Sequence, residues 1–445
     1  MKEFLIYSKR CFIGDSFVEA TLHIKDHKIN QIYAGFHKIE ALEFHDYEQF
    51  IVMPGIIDAH VHINEPGREN WEGFETATKA AAIGGITTLI EMPLNSNPVT
   101  TTVEAFKLKQ KASKNKLHVN CGFYGGIIPS NKEHVEDLIK EGVFGIKGFL
   151  THSGINEFPN VSIEHLEAIA PTLKKYDIPL LLHCELSDSD VPKISNPKSY
   201  KEYLDSRPQR WETKAIDLAI KIQEKFDIKV HIVHLSASEG IDLIEKRKKF
   251  TNKLSVETCP HYLFFNAEDI PDESPIYKCA PPIREKANND ELWDYLLDDG
   301  FNFLASDHSP STPERKQLES GDFFKAWGGI AGLQFILPIL FSASKKRNLG
   351  KERLLLLLTR KPAQFLGIDS EKGILKSGFD ADITVWDDAQ EFTITGDSIE
   401  HKHKATPYLN QKVFGKVIHT FVNGEHVVEN SKLKTLQCGK LLLNI

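Results

Sequence analysis

The sequence predicts an α/β protein: a (β/α)8 barrel of the TIM type with a small β-sandwich formed from both chain termini. Its 445 residues are enough for one large barrel and a smaller module. Between residues 53 and 371, eight short apolar runs alternate with segments of helical period. The two ends, residues 1–52 and 372–445, alternate polar with β-branched or aromatic residues, as half-buried strands do.

The N-terminal segment contains three runs of strand character: EFLIYSKRCFI, EATLHIKDHKINQIYAG and EQFIVMP. From Gly55 onward the runs are uniformly apolar, which is typical of parallel strands that are buried on both faces. The eight runs are GIIDAHVHI, TTLIEMP, LHVNCGFYG, VFGIKGFL, IPLLLHCE, KVHIVHLS, LSVETCP and FNFLASD. Segments of helical period between them, such as SIEHLEAIAPTLKKY, predict the crossover helices of a barrel.

Helical segments continue from Ala326 to about Leu366, and strand signals then return in GILKSGFDADITVWD and KVFGKVIHTFVNGEHVVE. The Asn423-Gly424 pair between alternating segments is a strong hairpin signal. Because both ends of the chain are β-rich, we expect them to pack together as one sandwich beside the barrel.

Composition excludes several classes of protein. The formal net charge is -8, so there is no basic excess to neutralise the phosphates of a nucleic acid. Six cysteines without a C-x-x-C pair indicate a reducing compartment. The N-terminal residues MKEFLIYSKRCF contain no apolar targeting core, and no run of about 18 apolar residues occurs elsewhere. We therefore expect a cytoplasmic protein that binds neither nucleic acid nor a membrane.

The segment IIDAHVHINEPGREN (56–70) carries two histidines at positions i and i+2. On a strand, side chains at this spacing share a face, so His60, His62 and Asn64 point the same way. In a barrel strand that face is inward, near the carboxyl end where barrel enzymes have their sites. Neutral imidazole is a preferred zinc ligand, although the pair alone is equally consistent with buried, hydrogen-bonded histidines.

Three more polar residues follow predicted barrel strands. His183 ends IPLLLH, His234 ends KVHIVH, and Asp307 follows FNFLAS. Because the carboxyl ends of barrel strands meet at one mouth, we expect these side chains to converge with the histidine pair. Four histidines and one aspartate at strand ends favour a metal site over separate structural roles. His231, three residues before His234, faces the other way and is not predicted to be a ligand.

Lys147 interrupts the otherwise apolar strand VFGIKGFL. One interpretation is a lysine that extends its amine to the barrel mouth. The other is a buried amine, which loses its proton readily because an unpaired buried charge is costly. A neutral amine can add CO₂ and become a carbamate, which would turn the cation into an anionic metal ligand.

Several segments resemble the amidohydrolase superfamily: MPGIIDAHVHINEPGREN, IKGF, LLLHCE, HIVHLS, ETCPHYL, CAPPIRE and ASDHSPSTPE. They occur in the expected order across essentially the whole chain. The most similar branch comprises the cyclic amidohydrolases, which include dihydroorotases, hydantoinases and allantoinases. The tail GILKSGFDADITVWD also resembles the closing segment of that branch.

This resemblance implies a hydrolase with two divalent metal ions, usually Zn²⁺. The implied ligands are His60, His62, Lys147, His183, His234 and Asp307. The first two histidines would hold the buried ion with Asp307, and the other two histidines would hold the more exposed ion. Lys147, carboxylated to N6-carboxylysine, would bridge the ions together with a hydroxide. Asp307 would be catalytic, first as general base and then as general acid. Family habit also implies a homo-oligomer, often a tetramer.

The sequence next to the implied ligands distinguishes between the possible substrates. Dihydroorotases typically carry Arg in the motif H-x-H-x-R-E-P-G, where a guanidinium suits a substrate carboxylate. This chain has the neutral Asn64 at that position. EMPLNSNPVT, HSGINEFPNVS and YLDSRPQRWETKAI instead resemble allantoinases, which implies hydrolysis of allantoin to allantoate in purine degradation. The loop THSGINEFPN lacks the tyrosine of hydantoinases and dihydropyrimidinases. Dihydroorotase is therefore the second candidate activity, and hydantoinase or dihydropyrimidinase is the third.

The same resemblance implies substrate contacts from Asn64, Asn95 and Ser309, and from the backbone near Ala280. Asn95, within MPLNSNP, is equally consistent with an Asx-turn. Departures from the family pattern concern Glu91 in place of Asp, Gly148 in place of Cys and Cys184 in place of Ala. A catalytically inactive structural paralogue would lack ligands. All six are present, so we predict an enzyme.

Overall fold

The N-terminal residues form five strands of the smaller domain. We describe them from a computed structural model, which covers residues 3–434 and 437–445. The strands are β1 (Glu3–Ile13), β2 (Ser16–Lys25), β3 (Lys28–Ala34), β4 (Glu43–Asp46) and β5 (Ile51–Pro54). β1 pairs antiparallel with β2 and parallel with β4 and β5. All four residues of β5 are buried, because this strand leads directly into the barrel.

The eight predicted apolar runs form the parallel strands of the barrel. They are β6 (Ile56–Val61), β7 (Ile86–Glu91), β8 (Asn120–Phe123), β9 (Gly125–Gly126), β10 (Ile146–Phe149), β11 (Leu180–His183), β12 (Val230–Ile232), β13 (Leu254–Thr258) and β14 (Phe303–Leu304). β8 and β9 come from a single run that is interrupted at Tyr124. The His62 amide donates to the His308 carbonyl at 2.7 Å, which closes the barrel between its first and last strands.

Helices cover the outside of the barrel between its strands. They are α1 (Phe74–Ile83), α2 (Val103–Ser113), α3 (Val135–Lys140), α4 (Ile163–Tyr176), α5 (Tyr200–Asp205), α6 (Gln209–Phe226), α7 (Ile241–Lys248), α8 (Pro260–Phe264), α9 (Lys286–Leu297), α10 (Ile336–Ser344), α11 (Lys351–Leu358) and α12 (Arg360–Leu366). In α6, Ala215, Ala219 and Ile222 recur at helical spacing and are buried. Within the described ranges, no helix is both long and apolar enough to cross a membrane.

The C-terminal strands complete the smaller domain. They are β15 (Ile383–Thr393), β16 (Lys412–Val422), β17 (Glu425–Glu429) and β18 (Lys432–Leu433). Asn423 and Gly424 form the predicted hairpin turn, with φ of 49° and 73°. β15 pairs antiparallel with β5, so both ends of the chain share one sheet of order β18-β17-β16-β15-β5-β1-β2-β3, with β4 beside β1.

This sheet folds over on itself. Phe4 of β1 and Phe421 of β16 lie three strand spacings apart along the sheet, a distance of about 14 Å if the sheet were flat. Their rings nevertheless stack with centroids 5.6 Å apart. Ile6, Leu22 and Ile383 join them in a separate apolar core. The predicted barrel and terminal β-sandwich are confirmed. The domain boundaries, 1–52 with 372–445 and 53–371, stay predictions.

Candidate metal centre

The carboxyl ends of the barrel strands surround a cavity of about 320 Å³. The six predicted ligands all line it: His60, His62, Lys147, His183, His234 and Asp307. They lie in, or within three residues after, the five strands β6, β10, β11, β12 and β14. All six side chains are buried. The barrel therefore brings together residues that are far apart in sequence.

Two histidines and the aspartate form one half of this cluster. Asp307 Oδ1 lies 3.3 Å from His60 Nε2 and 3.4 Å from His62 Nε2. Burial alone would raise the pKa of Asp307, but the neighbouring His60 and His62 lower it to about 2. Burial lowers the pKa of His62 to about 4. At neutral pH the trio therefore combines an anionic carboxylate with a neutral imidazole at His62.

Glu257 of β13 fixes the orientation of His60. Its Oε1 lies 2.5 Å from His60 Nδ1, and its Oε2 lies 3.1 Å from His231 Nε2. Burial would raise the pKa of Glu257, but His60 and His231 hold it well below its usual range. A carboxylate only accepts hydrogen bonds, so His60 Nδ1 is the donor. In the neutral imidazole the lone pair is then on Nε2, facing Asp307.

His183 and His234 form the other half. His183 Nδ1 lies 3.0 Å from His234 Nε2, and His183 Nε2 lies 2.7 Å from Glu185 Oε2. Arg207 donates from Nε to Glu185 Oε1 at 3.0 Å, which holds this carboxylate in place. Burial lowers the pKa of both histidines, so both are neutral at pH 7. The rings of His60 and His234 have centroids 5.5 Å apart, so the two halves adjoin.

Lys147 is fully buried at the cavity. Its Nζ has no hydrogen-bond partner among residues 3–434 and 437–445, and it lies 5.2 Å from the centre of the Phe149 ring. Burial lowers the pKa of this amine to about 8. A larger fraction of it is therefore neutral at pH 7 than of an ordinary lysine.

The backbone at this mouth is strained. His234 and Asp307 adopt positive φ values of 40° and 44°, and Asn64 and Asn95 adopt 70° and 73°. The left-handed region is unfavourable for residues with a side chain, least so for asparagine and aspartate. Strained backbone of this kind clusters at functional sites.

Comparison with known proteins agrees with this geometry. Residues 51–427 match the model of the amidohydrolase family. The chain belongs to the amidohydrolase family. Allantoinase from Arabidopsis thaliana is 42% identical over 458 residues, covering 98% of this amidohydrolase and 90% of the relative. Mitochondrial allantoinase from Aquarana catesbeiana is 40% identical over 374 residues, covering 84% of this chain and 77% of the relative. The structure of L-hydantoinase (dihydropyrimidinase) from Arthrobacter aurescens matches with a TM-score of 0.93 and 30% identity, covering 99% of this chain and 100% of that one.

Membership of the amidohydrolase family implies a binuclear metal centre. The ligand atoms of His60, His62 and Asp307 all lie within 4.8 Å of one another. In this trio two imidazole nitrogens lie within 3.4 Å of one buried carboxylate oxygen, an arrangement of donor atoms that a cation would stabilise. Imidazole and carboxylate donors accept zinc, cobalt, manganese or iron. The residues present therefore fit divalent cations.

Three of the four predicted substrate contacts line the same cavity, namely Asn95, Ala280 and Ser309. Asn95 Nδ2 lies 3.3 Å from His62 Nδ1, so this side chain also contacts the metal cluster. Asn64 is different: it is buried, it does not line the cavity, and its amide donates to the Pro310 carbonyl at 3.1 Å. Its direct contact with a substrate stays a prediction.

Sequence reasoning missed the carboxylates that orient the histidines. Glu257 lies inside the apolar run LSVETCP, and Glu185 follows directly on LLLHC. A charged residue in or next to an otherwise apolar run was the signal that could have identified both glutamates. The same signal identified Lys147. The contribution of residues 324–328 to the cavity lining was not predicted either. The sequence predicts helical segments from Ala326, but residues 326–328 lie in no helix and α10 begins only at Ile336.

The predicted departures from the family pattern do not disturb the ligands. Glu91 ends β7 and accepts from Lys109 Nζ of α2 at 2.5 Å, and both side chains are buried. Burial raises the pKa of Glu91 to about 7, although Lys109 opposes this shift. Gly148 lies within β10, and Cys184 is a buried free thiol next to His183.

Proposed function

We propose that this amidohydrolase opens the hydantoin ring of allantoin and gives allantoate, a step of purine degradation. The observation that carries the proposal is its 42% identity to the Arabidopsis allantoinase across nearly the whole length of both proteins. The hydantoinase with the same fold is less similar in sequence, at 30% identity. Allantoin is neutral, which suits the neutral amide and hydroxyl of Asn95 and Ser309 at the cavity.

We propose two Zn²⁺ ions as cofactors. His60, His62 and Asp307 would hold one, and His183 and His234 the other. When bound, such a pair of cations lowers the pKa of a shared water and polarises the scissile carbonyl. Glu257 and Glu185 support this role, because each carboxylate engages one ring nitrogen of a histidine and the other nitrogen faces a fellow predicted ligand, Asp307 for His60 and His234 for His183.

Asp307 would transfer the proton that the reaction requires. Its carboxylate is ionised at neutral pH, so one of its oxygens can accept a proton from the attacking water. The water oxygen bonds to the ring carbonyl carbon and the ring C–N bond breaks. Asp307 then returns its proton to the departing nitrogen. The product is an open-chain ureido acid whose new carboxyl group ionises.

Lys147 would be carboxylated. The lone pair of its neutral amine attacks CO₂, an N–C bond forms, and the nitrogen loses a proton to give a carbamate. The buried amine without a hydrogen-bond partner and its lowered pKa support this reaction. The resulting anion would supply the bridging ligand of the two cations.

The substrate is tested by comparing turnover of allantoin, dihydroorotate and hydantoin by the purified protein reconstituted with zinc. We expect the highest kcat/KM for allantoin. Faster turnover of dihydroorotate or hydantoin would replace the proposed function with the corresponding alternative. A metal assay separates an enzyme from an inactive paralogue, because about two metal equivalents per chain are expected for the enzyme.

The carbamate is tested with the variant Lys147→Ala. We expect it to lose at least about 1000-fold in kcat, because the bridging ligand is removed. A short carboxylic acid such as propionate should restore part of the activity by providing a carboxylate in the same space. Propionate added to the wild-type protein is the control and should not raise its rate. An active Lys147→Ala variant without added acid would refute the bridging role.

We also propose a homo-oligomer, a tetramer by family habit, in the cytoplasm. The hydantoinase relative supports the fold on which such an assembly would be built. Its test is the molar mass of the native protein in solution. The Aquarana relative is named as a mitochondrial allantoinase, so the alternative compartment for this protein is the mitochondrion.

A further inference from the structure

Two irregular segments form part of the wall of the cavity. Lys278 and Ala280 belong to one segment, and residues 324–328 form the other. Neither segment lies in a helix or strand, so no ladder of backbone hydrogen bonds fixes their separation. Both nevertheless carry groups that face the substrate space. Some other contact must set the distance between them.

Lys316 supplies that contact. Its Nζ donates to three carbonyl oxygens: Lys278 at 2.7 Å, Trp327 at 3.1 Å and Gly329 at 2.5 Å. Burial lowers the pKa of this amine to about 7. In its protonated form it has three N–H donors, and here each has an acceptor. The side chain is 4% exposed, and its amine contacts these three backbone carbonyls. The amine therefore acts entirely on backbone.

These acceptors lie next to the predicted substrate contacts. Ala280 is two residues beyond Lys278. Trp327 Nε1 donates to the Ser309 carbonyl at 3.2 Å, and the Ser309 amide donates to the Ile330 carbonyl at 2.9 Å. A Cβ on Gly329 would lie 2.3 Å from the carbonyl oxygen of Ser309, so these two residues are in close contact. Moving the segment at 327–329 would therefore move Ser309.

The side chain of Lys278 also connects these two segments, from the first segment to the second. Its own Nζ donates to the Ala326 carbonyl at 2.6 Å and approaches the Phe324 carbonyl at 3.4 Å. Lys316 thus holds the backbone of Lys278, while the side chain of Lys278 holds residues 324–326. The two lysines form one network of amine-to-carbonyl bonds across the wall.

We propose that Lys316 is a positioning residue that sets the substrate-facing wall of the cavity, holding Ala280 and Ser309 at the spacing that the cyclic amide requires. This inference rests on the proposed function. Lys316 does not line the cavity and takes no part in metal binding. Its loss should therefore change substrate binding and leave the metal content intact.

The test uses Lys316→Met, which keeps the bulk of the stem and removes the three donors. We expect kcat/KM for allantoin to fall about 100-fold, with the larger part in KM, because misplacement of binding groups by about 1 Å has effects of this size. The number of bound zinc ions should equal that of the wild-type protein. An unchanged KM, or loss of metal together with activity, would overturn the proposal.

Lys372→Met is the matched control. Lys372 is also buried, at 5% exposure, but it donates to Asp380 and Asp382 at 2.6 Å each, away from the cavity. This variant should lower Tm without changing KM. A rise in KM equal to that of Lys316→Met would show that KM follows general stability and would contradict the positioning role.

Chemical rescue separates positioning from stability. Lys316→Ala leaves space for propylammonium, which reproduces the missing atoms from Cγ to Nζ. We expect propylammonium to lower the KM of this variant toward the wild-type value. Tetramethylammonium at the same concentration should not, because it has no N–H donor. Equal effects of the two cations would refute the proposal. If allantoin is not turned over, the same series with the cyclic amide that is turned over tests Lys316 separately from the proposed function.

Discussion

At the scale of single residues, Glu257 connects the two halves of the candidate metal centre. Its Oε1 contacts both His60 Nδ1, at 2.5 Å, and the backbone N–H of His234, at 3.3 Å. Its Oε2 contacts His231, whose other nitrogen lies 2.7 Å from Ser255 Oγ. One carboxylate thus fixes the ring of His60 in one half of the cluster and the backbone of His234 in the other half.

Glu257→Gln should therefore weaken metal binding without removing a ligand. We expect zinc affinity to fall about 10- to 100-fold, since partners that orient metal-binding histidines have effects of this size. The measurement is competition with a chelator of known affinity. Glu212→Gln is the control, because Glu212 is equally buried but pairs with Arg284 at 3.2 Å instead of with a ligand histidine. Equal zinc affinity of Glu257→Gln and wild type would contradict this role.

The sequence was sufficient to predict which side chains meet at the mouth of the barrel. It was not sufficient to predict which residues orient those side chains. His183 and His234 end apolar runs and Asp307 follows one, so their positions are predicted from strand geometry. Glu257 and Lys316 act through neighbours that only the folded chain brings near. Lys316 lies in STPERK, a polar stretch in which a lysine is ordinarily solvated, and nothing local indicates that it is buried.

At the scale of elements, the hairpin of β16 and β17 carries a buried histidine pair. His419 Nδ1 lies 3.0 Å from His426 Nε2, and each residue is 8% exposed. Burial lowers the pKa of His419 to about 4 and that of His426 to about 3. Glu429, Lys434 and His45 lie nearby and modify these values less than burial does.

This pair should make the smaller domain sensitive to acid. Both rings stay neutral in the folded protein at pH 5.5, whereas in the unfolded chain they take up protons below their ordinary pKa of 6.5. The unfolded state therefore binds more protons, and stability falls as pH decreases from about 6.5 toward 4.

His426→Asn tests this expectation, because it removes one of the two titrating rings. Between pH 7.5 and pH 5.5, Tm should fall less in this variant than in the wild-type protein. Thermal unfolding followed by circular dichroism provides the measurement. The other buried histidines contribute equally to both proteins and cancel in the comparison. An identical fall in both proteins would show that the pair does not titrate on unfolding.

The lengths of the elements were predicted less well than their order. β14 contains two residues, Phe303 and Leu304, although the run FNFLASD predicted a longer strand. The strand is interrupted there, because Asp307 adopts a left-handed conformation that no strand continues, and pairing with β6 resumes only at the single bridge of His308 with Val61. The terminal strands were predicted from alternation, but the closure of their sheet depends on long-range contacts such as Phe4 with Phe421.

At the scale of the whole molecule, bound cations should stabilise the fold. Cations that bind only the folded state raise the free energy of unfolding by about 2.7 kcal/mol when their free concentration is about 100 times Kd. Stripping the protein with a chelator should therefore lower Tm by several degrees, and added Zn²⁺ should restore it. Differential scanning calorimetry, combined with metal analysis of each sample, checks this expectation. His60→Ala should show a smaller difference between the two samples. Equal Tm values for fully stripped and reconstituted wild type would contradict it.

The pairing of β5 has a consequence for synthesis on the ribosome. This strand lies between β1, which is made before it, and β15, which is made only after the entire barrel. Only Gly55 separates β5 from β6, the strand that carries His60. A nascent chain therefore emerges with the edge of β5 unpaired until residues 383–393 leave the exit tunnel. The final strands to be translated thus complete the support of the first ligand strand.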